Sequence, residues 1–221
     1  MKQILSVVTL AMLLSACDDG ALIDPQKQIG PNPELPQAQH FFVPPMQVPE
    51  GIPWKAGQMP TVADGLKIEK IADNLQHPRQ VLVLPNNDVL GAESNGTPKP
   101  TTAPKDLITG LVKNASGKGG AGGNRITLLR NVNGKWEQHR FIDNLTAPFG
   151  MQLVGNTLYV ANADSLVKFP YETGQTAIRT PPVVVTELPG GPINHHWPKS
   201  LLASPDGSKL YVGVGCNSNI T

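Results

Sequence analysis

Residues 149–162 read Phe149-Gly150-Met151-Gln152-Leu153-Val154-Gly155-Asn156-Thr157-Leu158-Tyr159-Val160-Ala161-Asn162. Apolar residues dominate both halves of this stretch, and the tight polar turn Val154-Gly155-Asn156 divides them. Glycine and asparagine tolerate the positive φ angles that short hairpin turns need. The stretch therefore predicts two antiparallel strands joined by a tight turn, and this hairpin unit decides the fold of the chain.

Two other stretches repeat the strand–turn–strand pattern. Residues 79–93 surround the turn Pro85-Asn86-Asn87-Asp88, and residues 199–214 surround the turn Pro205-Asp206-Gly207-Ser208. Further strand candidates lie between or before the hairpins, at 66–71, 125–130, 136–142, 166–169 and 183–186. Tyr159 and Tyr211 are 52 residues apart, close to the ~40–50 residues of a four-stranded propeller blade. The pattern predicts an all-β chain that holds about three blades of a β-propeller.

Three blades do not complete a propeller, because propellers close a ring of about 4–8 blades. An incomplete ring leaves open sheet edges, and an open edge is a template for pairing with another chain. We therefore expect one of two situations. Either the chain is the N-terminal part of a longer propeller, or it self-associates through the open edge.

The composition favours strands and turns over helices. The 221 residues include 22 glycines and 22 prolines, and no segment shows a sustained period of 3.6 residues. The 18 Lys and Arg residues nearly balance the 17 Asp and Glu residues, and they form no cluster, which argues against a nucleic-acid partner. The glycine-rich run 117–123 lacks the residue order of a phosphate-binding loop, and we expect it to be a flexible loop.

The N-terminus has the pattern of a bacterial lipoprotein signal. Met1-Lys2-Gln3 precedes an apolar stretch of 13 residues, 4–16, and its last residues Leu14-Ser15-Ala16 stand directly before Cys17. Residues 1–16 are predicted to be the signal peptide and Cys17 the lipid-modified residue. An ordinary signal peptide with an incidental cysteine is the alternative. Asp18 resembles a signal for retention in the inner membrane, so we expect a periplasmic protein anchored to that membrane.

The remaining sequence divides into two predicted regions. Residues 17–60 are rich in proline, which suits an extended tether from the membrane, although simple disorder would give the same composition. Residues 61–221 are predicted to be the partial propeller.

Three motifs, in their order along the chain, resemble the glucose/sorbosone dehydrogenase family in its L-sorbosone dehydrogenase branch. They are Asn124-Arg125-Ile126-Thr127-Leu128-Leu129-Arg130, then Ala147-Pro148-Phe149-Gly150-Met151 with Leu158-Tyr159-Val160-Ala161-Asn162, then Asn194-His195-His196-Trp197 with Ser204-Pro205-Asp206-Gly207. The resemblance implies a six-bladed propeller that uses pyrroloquinoline quinone (PQQ) and calcium to oxidise sugars in the periplasm. It also implies a respiratory electron acceptor as a partner.

The resemblance assigns the catalytic base to His196, since an imidazole suits the removal of a hydroxyl proton near neutral pH. His195 is expected to shape the loop or to contact the sugar. Trp197 is expected either to wall the substrate pocket or to pack between blades. Gln80, at the start of the first hairpin, is a candidate for contact with substrate or cofactor. Lys199 is expected to be solvated, and the alternative is that it faces the central channel and a carboxylate. Both histidines would be ordinary loop residues if the resemblance were accidental.

The sequence departs from the family pattern in two places. Cys216 stands where the glucose-oxidising relatives have an aspartate that orients the histidine, and Asn217 is a possible substitute acceptor. The family's quinone-binding and calcium-binding residues lie in later blades, so the residues that hold PQQ and calcium are expected beyond this chain. A lipid-anchored propeller module that binds a carbohydrate or a protein without chemistry is the alternative function.

Overall fold

The computed structural model describes residues 23–35, 49–97, 104–191 and 196–216. The chain divides into two units, Met1–Glu50 and Gly51–Thr221. Within the described part of the first unit, a short 3₁₀ helix spans Pro25–Gln28. Its N-terminus is capped by Asp24, whose carboxylate accepts a hydrogen bond from the N–H of Gln26 at 2.9 Å.

Apart from one helix, the regular elements described in the second unit are all short strands, as the hairpin pattern predicts. Its elements in chain order are β1 (Pro78–Val83), β2 (Val89–Glu93), α1 (Pro104–Ala115), β3 (Arg125–Val132), β4 (Lys135–Ile142), β5 (Met151–Val154), β6 (Thr157–Ala161), β7 (Ser165–Pro170), β8 (Val183–Glu187), β9 (Ser200–Ala203) and β10 (Leu210–Gly213). The all-β class is confirmed, and so are the strand candidates that fall in β3, β4, β7 and β8.

The strands form two four-stranded antiparallel sheets and one hairpin. The first sheet has the order β1-β2-β3-β4, the second has the order β5-β6-β7-β8, and β9 pairs with β10. In each case strands that follow one another in sequence are neighbours in space, so every connection is local. The three predicted hairpins are therefore confirmed as β1–β2, β5–β6 and β9–β10.

The two sheets and the hairpin pack face to face, with the second sheet in the middle. Along β6, Leu158 and Val160 belong to a core shared with the first sheet. The residues between and after them, Tyr159 and Ala161, belong to a core shared with Leu201 of β9. Because side chains alternate between the two faces of a strand, the continuous apolar run of β6 buries both faces of the second sheet. The first strand of each sheet contacts the first strand of its neighbour: β1 contacts β5, and β5 contacts β9, the first strand of the hairpin.

The stack leaves an apolar face exposed at each end. Val81 and Val83 of β1 point away from the shared core and are 62% and 61% exposed. Leu202 and Tyr211, which are cross-strand partners on the β9–β10 hairpin, are 64% and 55% exposed. We call the two sheets and the hairpin the stack, and we call these two pairs of residues its end faces.

Two predictions of secondary structure were wrong. Residues 66–71 pair with no strand of the described chain. Their recorded side-chain hydrogen bonds outside the segment come from Trp136 Nε1 to Glu69 and from Lys70 to Asp73. Helix α1 was not predicted at all. It has only 12 residues, so few apolar residues repeat at the helical period, and it contains Gly110, a poor helix former. Leu107, Ile108 and Leu111 lie on one side of α1 and are exposed.

Candidate functional site

Antiparallel pairing brings the candidate residues to one end of the stack. Ser200 pairs with Gly213, so His196 before β9 and Cys216 after β10 are neighbours. Loops from both sheets and from the hairpin are joined at this end. Ser94 Oγ donates to Pro148 O at 2.6 Å, which joins the first sheet to the second. The backbone N–H of Gly150 donates to Lys199 O at 3.0 Å, which joins the second sheet to the hairpin.

The half-buried His196 is oriented through one ring nitrogen. Its Nδ1 lies 2.5 Å from the backbone carbonyl oxygen of Cys216. A carbonyl oxygen can only accept a hydrogen bond, so Nδ1 carries the proton and the neutral ring keeps its lone pair on Nε2. No described residue hydrogen-bonds to Nε2. The ring is therefore held in the form in which Nε2 can accept a proton from a ligand.

The acceptor that the described structure places on His196 Nδ1 is the backbone carbonyl of Cys216, which was not considered from the sequence. The thiol Sγ of Cys216 lies 3.5 Å from His196 Nδ1, whereas the carbonyl oxygen of the same residue lies 2.5 Å away. Asn217 lies outside the described residues. A backbone carbonyl at this position is independent of the side chain, so sequence patterns could not reveal it.

Trp197 contacts residues in or next to both four-stranded sheets. Its ring meets Phe149 edge to face with centroids 6.2 Å apart, and the guanidinium of Arg79 lies 5.5 Å from its centroid. Gly96 adopts φ +77°, and a Cβ there would lie 2.9 Å from Trp197 Nε1. Trp197 thus contacts the first sheet's loops and the second sheet together, which fits the blade-packing alternative of the two roles expected for it.

Arg79 links Trp197 to the glycine-rich loop. Arg79 donates through Nε to Ser94 O and through Nη2 to Asn95 Oδ1, both at 2.7 Å. Asn95 Nδ2 in turn donates to the carbonyl oxygens of Lys118 and Gly120 at 3.0 and 2.8 Å. The loop 117–123 therefore packs against the end of β2, and its glycines allow this close approach.

Lys199 is buried, which corrects the expectation that it is solvated. It is only 1% exposed, and its ammonium donates to the carbonyl oxygens of His196 and Trp197 at 3.4 and 3.3 Å. Burial lowers the pKa of Lys199 below its ordinary value, because the low-polarity surroundings disfavour the charged form. The sequence carries little signal for this burial, since a lysine before a surface strand usually extends into water.

Gln80 and Asn162 each carry a buried oxygen that lacks a hydrogen-bond partner in the described structure. The atoms are Gln80 Oε1 and Asn162 Oδ1. Both oxygens are covered by protein, so a ligand hydroxyl could reach them only after a local rearrangement. No recorded hydrogen bond joins Gln80 to His196 or to Trp197, the described residues of the loop before β9. His195 and Cys17 lie outside the described residues.

A buried carboxylate that sequence patterns did not indicate supports this end of the first sheet. Glu93 is 0% exposed and receives two hydrogen bonds from Arg125, at 2.9 and 2.8 Å. Thr127 Oγ1 and the N–H of Gln76 also donate to it. Burial raises the pKa of Glu93, but these hydrogen bonds outweigh burial and hold it below its ordinary value. All its contacts are within the protein, so Glu93 has a structural role.

The first sheet carries a depression of about 300 Å³. It is lined by Arg125, Thr127, Gln138, His139 and Arg140. None of the predicted site residues lines it. Arg125 is already committed to Glu93, so this depression offers little for substrate chemistry.

The described residues do not fit a resident calcium ion with PQQ. Within them, no group of three or more His, Cys, Asp or Glu residues could hold a metal ion. Among the described residues, Arg79 beside Trp197 already donates to Ser94 and Asn95, and Lys199 already donates to the carbonyl oxygens of His196 and Trp197. A tricarboxylate cofactor needs cations that are available to its carboxylates.

Comparisons of the chain with protein-family models, curated proteins and solved structures found no match. The helices within the described ranges are too short to cross a bilayer, the longest having 12 residues. The geometry of the His196 end is therefore the observation from which a function can be inferred.

Proposed function

We propose that the chain is the N-terminal part of a PQQ-dependent sugar dehydrogenase similar to the sorbosone dehydrogenases, with His196 as its base. The observation that supports this most is the 2.5 Å hydrogen bond from His196 Nδ1 to Cys216 O, which leaves Nε2 as an acceptor. A general base must hold its lone pair towards the proton that it removes. In the proposal that proton belongs to a hydroxyl of a sugar or of a hydrated aldehyde.

In the proposal the sugar lies at the end of the stack that carries His196. Asn162 follows β6 at the same end of the second sheet, and its buried Oδ1 lacks a partner in the described structure. A sugar hydroxyl would donate to this oxygen once a local rearrangement uncovers it, and aromatic rings pack against sugar faces. PQQ would accept the hydride, and we propose that polypeptide outside the described residues holds PQQ and calcium.

The architecture behind this proposal is a partial six-bladed propeller. The two four-stranded meanders pack face to face, and the first strand of one contacts the first strand of the other. This arrangement is typical of adjacent propeller blades. The β9–β10 hairpin would be the inner half of a third blade. We further propose that Cys17 is lipidated and that the protein works in the periplasm, where it passes electrons to a respiratory acceptor in the inner membrane.

Dye-linked oxidation of sugars tests the proposal. The chain, and a form extended by its downstream reading frame, are supplied with PQQ and Ca²⁺ and assayed with aldoses and sorbosone. We expect turnover that falls by about 10²–10⁴-fold in His196→Gln, the usual contribution of general-base catalysis. His139→Gln, in β4 of the first sheet, is the matched control and keeps its activity. Two folded forms without turnover would overturn the proposal.

The second candidate is a non-catalytic module that binds a carbohydrate or a protein. It is favoured by the exposed end faces and by the lack of a metal-binding group in the described ranges. It predicts sugar binding by calorimetry without turnover in any form of the protein. Binding that His196→Gln leaves unchanged would favour this module over the dehydrogenase.

A further inference from the structure

We infer that Lys199 is a positioning residue that holds the loop carrying His196 and Trp197, and so fixes the direction of the histidine ring. The inference deepens the proposed function and rests on it for its meaning in catalysis. Lys199 acts through the backbone of the two residues that precede Pro198.

The geometry places Lys199 at the junction of the loop and the stack. Its ammonium donates to His196 O at 3.4 Å and to Trp197 O at 3.3 Å. Its own carbonyl oxygen accepts the N–H of Gly150 at 3.0 Å, which ties it to the second sheet. The side chain of Lys199 is therefore hydrogen-bonded to the loop, while the backbone of the same residue is hydrogen-bonded to the neighbouring sheet.

The local sequence explains why a lysine is needed here. Proline has no backbone N–H, so Pro198 cannot donate to a carbonyl of the turn. Buried carbonyl groups need donors, and an ammonium offers three. Burying a lysine is costly unless its charge is compensated by hydrogen bonds. A lysine that is 1% exposed in this place is therefore expected to contribute to the geometry of the loop.

The approach of Gly150 shows how little freedom this junction has. A Cβ on Gly150 would lie 2.6 Å from Lys199 O and 2.6 Å from the N of Leu201. A Cβ on Gly215 would likewise lie 2.5 Å from His196 Cβ. The backbone at Gly150 and at Gly215 thus lies close to Lys199 and His196, and we expect a displacement of the loop to move Nδ1 away from Cys216 O.

The tautomer of His196 tests the inference without any need for turnover. The full chain is labelled with ¹⁵N-histidine, and the signal of His196 among the five histidines is identified from the spectrum of His196→Gln. In the native protein we expect the Nδ1–H form to dominate by about tenfold or more, as one good hydrogen bond would give. In Lys199→Met the ratio should fall towards unity, because the loop carbonyls lose their donor.

Lys199→Arg is the matched variant, because it keeps the charge and the N–H donors. We expect it to retain the native tautomer ratio. A folded Lys199→Met protein with the native ratio would overturn the inference. If Lys199→Met does not fold, a folded Lys199→Arg protein with mixed tautomers would overturn it instead. The tautomer ratio is measured without turnover. A negative sugar-oxidation assay would therefore overturn the proposed function without overturning the positioning role of Lys199.

Discussion

One hydrogen bond decides which nitrogen of His196 can act as a base. Nδ1 donates to the carbonyl oxygen of Cys216, so the chemistry of the ring is directed through Nε2. A backbone carbonyl cannot supply the full negative charge of a carboxylate. It can still fix the tautomer and the direction of the ring, which are the geometric requirements of a general base.

Replacement of the Cys216 side chain should have little effect on His196. Since the carbonyl of Cys216 is the closer partner, Cys216→Ser is expected to keep the Nδ1–H tautomer and most of the sugar-dependent dye reduction. The ¹⁵N spectrum and the dye assay measure both. His196→Gln serves as the inactive reference. A mixed tautomer in Cys216→Ser would show that the thiol, and not the carbonyl, orients the ring.

Asp206 should make the protein more stable near neutral pH than in acid. Hydrogen bonds from Ser204 Oγ and from Ser208 lower the pKa of Asp206 from 3.8 to about 2. A folded-state pKa below the unfolded value means that the stabilisation is present above pH 3.8 and is lost as the pH falls towards 2. Asp206→Ala should therefore lower the thermal midpoint near neutral pH.

The difference between Asp206→Ala and the native protein should shrink in acid. Thermal unfolding followed by circular dichroism from about pH 6 down to about pH 2 measures it. Asp64→Ala is the control, because Asp64 is exposed and no side-chain hydrogen bond is recorded for it. An Asp206→Ala effect that is the same at both ends of the pH range would contradict the assignment.

The second and third strands of the first sheet are joined by a buried ion pair as well as by their ladder. Glu93 and Arg125 are cross-strand partners, and their side chains are 0% and 11% exposed. Thr127 adds a hydrogen bond from the next position on the same face of β3. This pairing holds the end of β2 from which Ser94, Asn95 and Gly96 extend towards Arg79 and Trp197.

Loss of the Glu93 carboxylate should destabilise the whole second unit. Glu93→Ala leaves Arg125 with an uncompensated, nearly buried charge, which costs about 3–5 kcal/mol of unfolding free energy. Denaturant unfolding measures this cost. Glu172→Ala is the control, because Glu172 is exposed and its side chain makes no recorded hydrogen bond. A cost no greater than that of the control would contradict the structural role assigned to Glu93.

The stack as a whole ends in apolar faces that sheets normally bury. Each face of the second sheet is covered by a neighbour, whereas Val81 and Val83 at one end and Leu202 and Tyr211 at the other are exposed. Such faces favour association with a further sheet, whether it comes from the same polypeptide or from a second copy.

Self-association through the end faces predicts a specific response to charge. Tyr211→Lys should weaken association of the protein by about tenfold or more, since removing one large buried side chain from an interface costs at least about 1.4 kcal/mol. Analytical ultracentrifugation over a concentration series measures the change. Leu107→Lys on α1 is the matched control, because Leu107 is also exposed but lies outside both end faces. Equal effects of the two substitutions would argue against the end faces.

The hairpins, the all-β class and most strands were predictable from the sequence because they depend on local features. Alternation of apolar residues and the turns at Asn86, Gly155 and Gly207 act over a few residues, so pattern and structure agree. Residues 66–71 have the same local pattern, but a strand also needs a partner, and none lies beside them in the described chain. Helix α1 was missed because its apolar residues repeat over only 12 residues, one of which is a glycine.

The site depended on contacts between residues distant in sequence. The resemblance pointed to His196, but only the pairing of β9 with β10 brings the Cys216 carbonyl to its ring, 20 residues away in sequence. Only the folded chain buries Lys199, and only the pairing of β2 with β3 sets Glu93 beside Arg125. Burial and partnership of polar groups are properties of the assembled stack, because a side chain loses water only when other parts of the chain close over it.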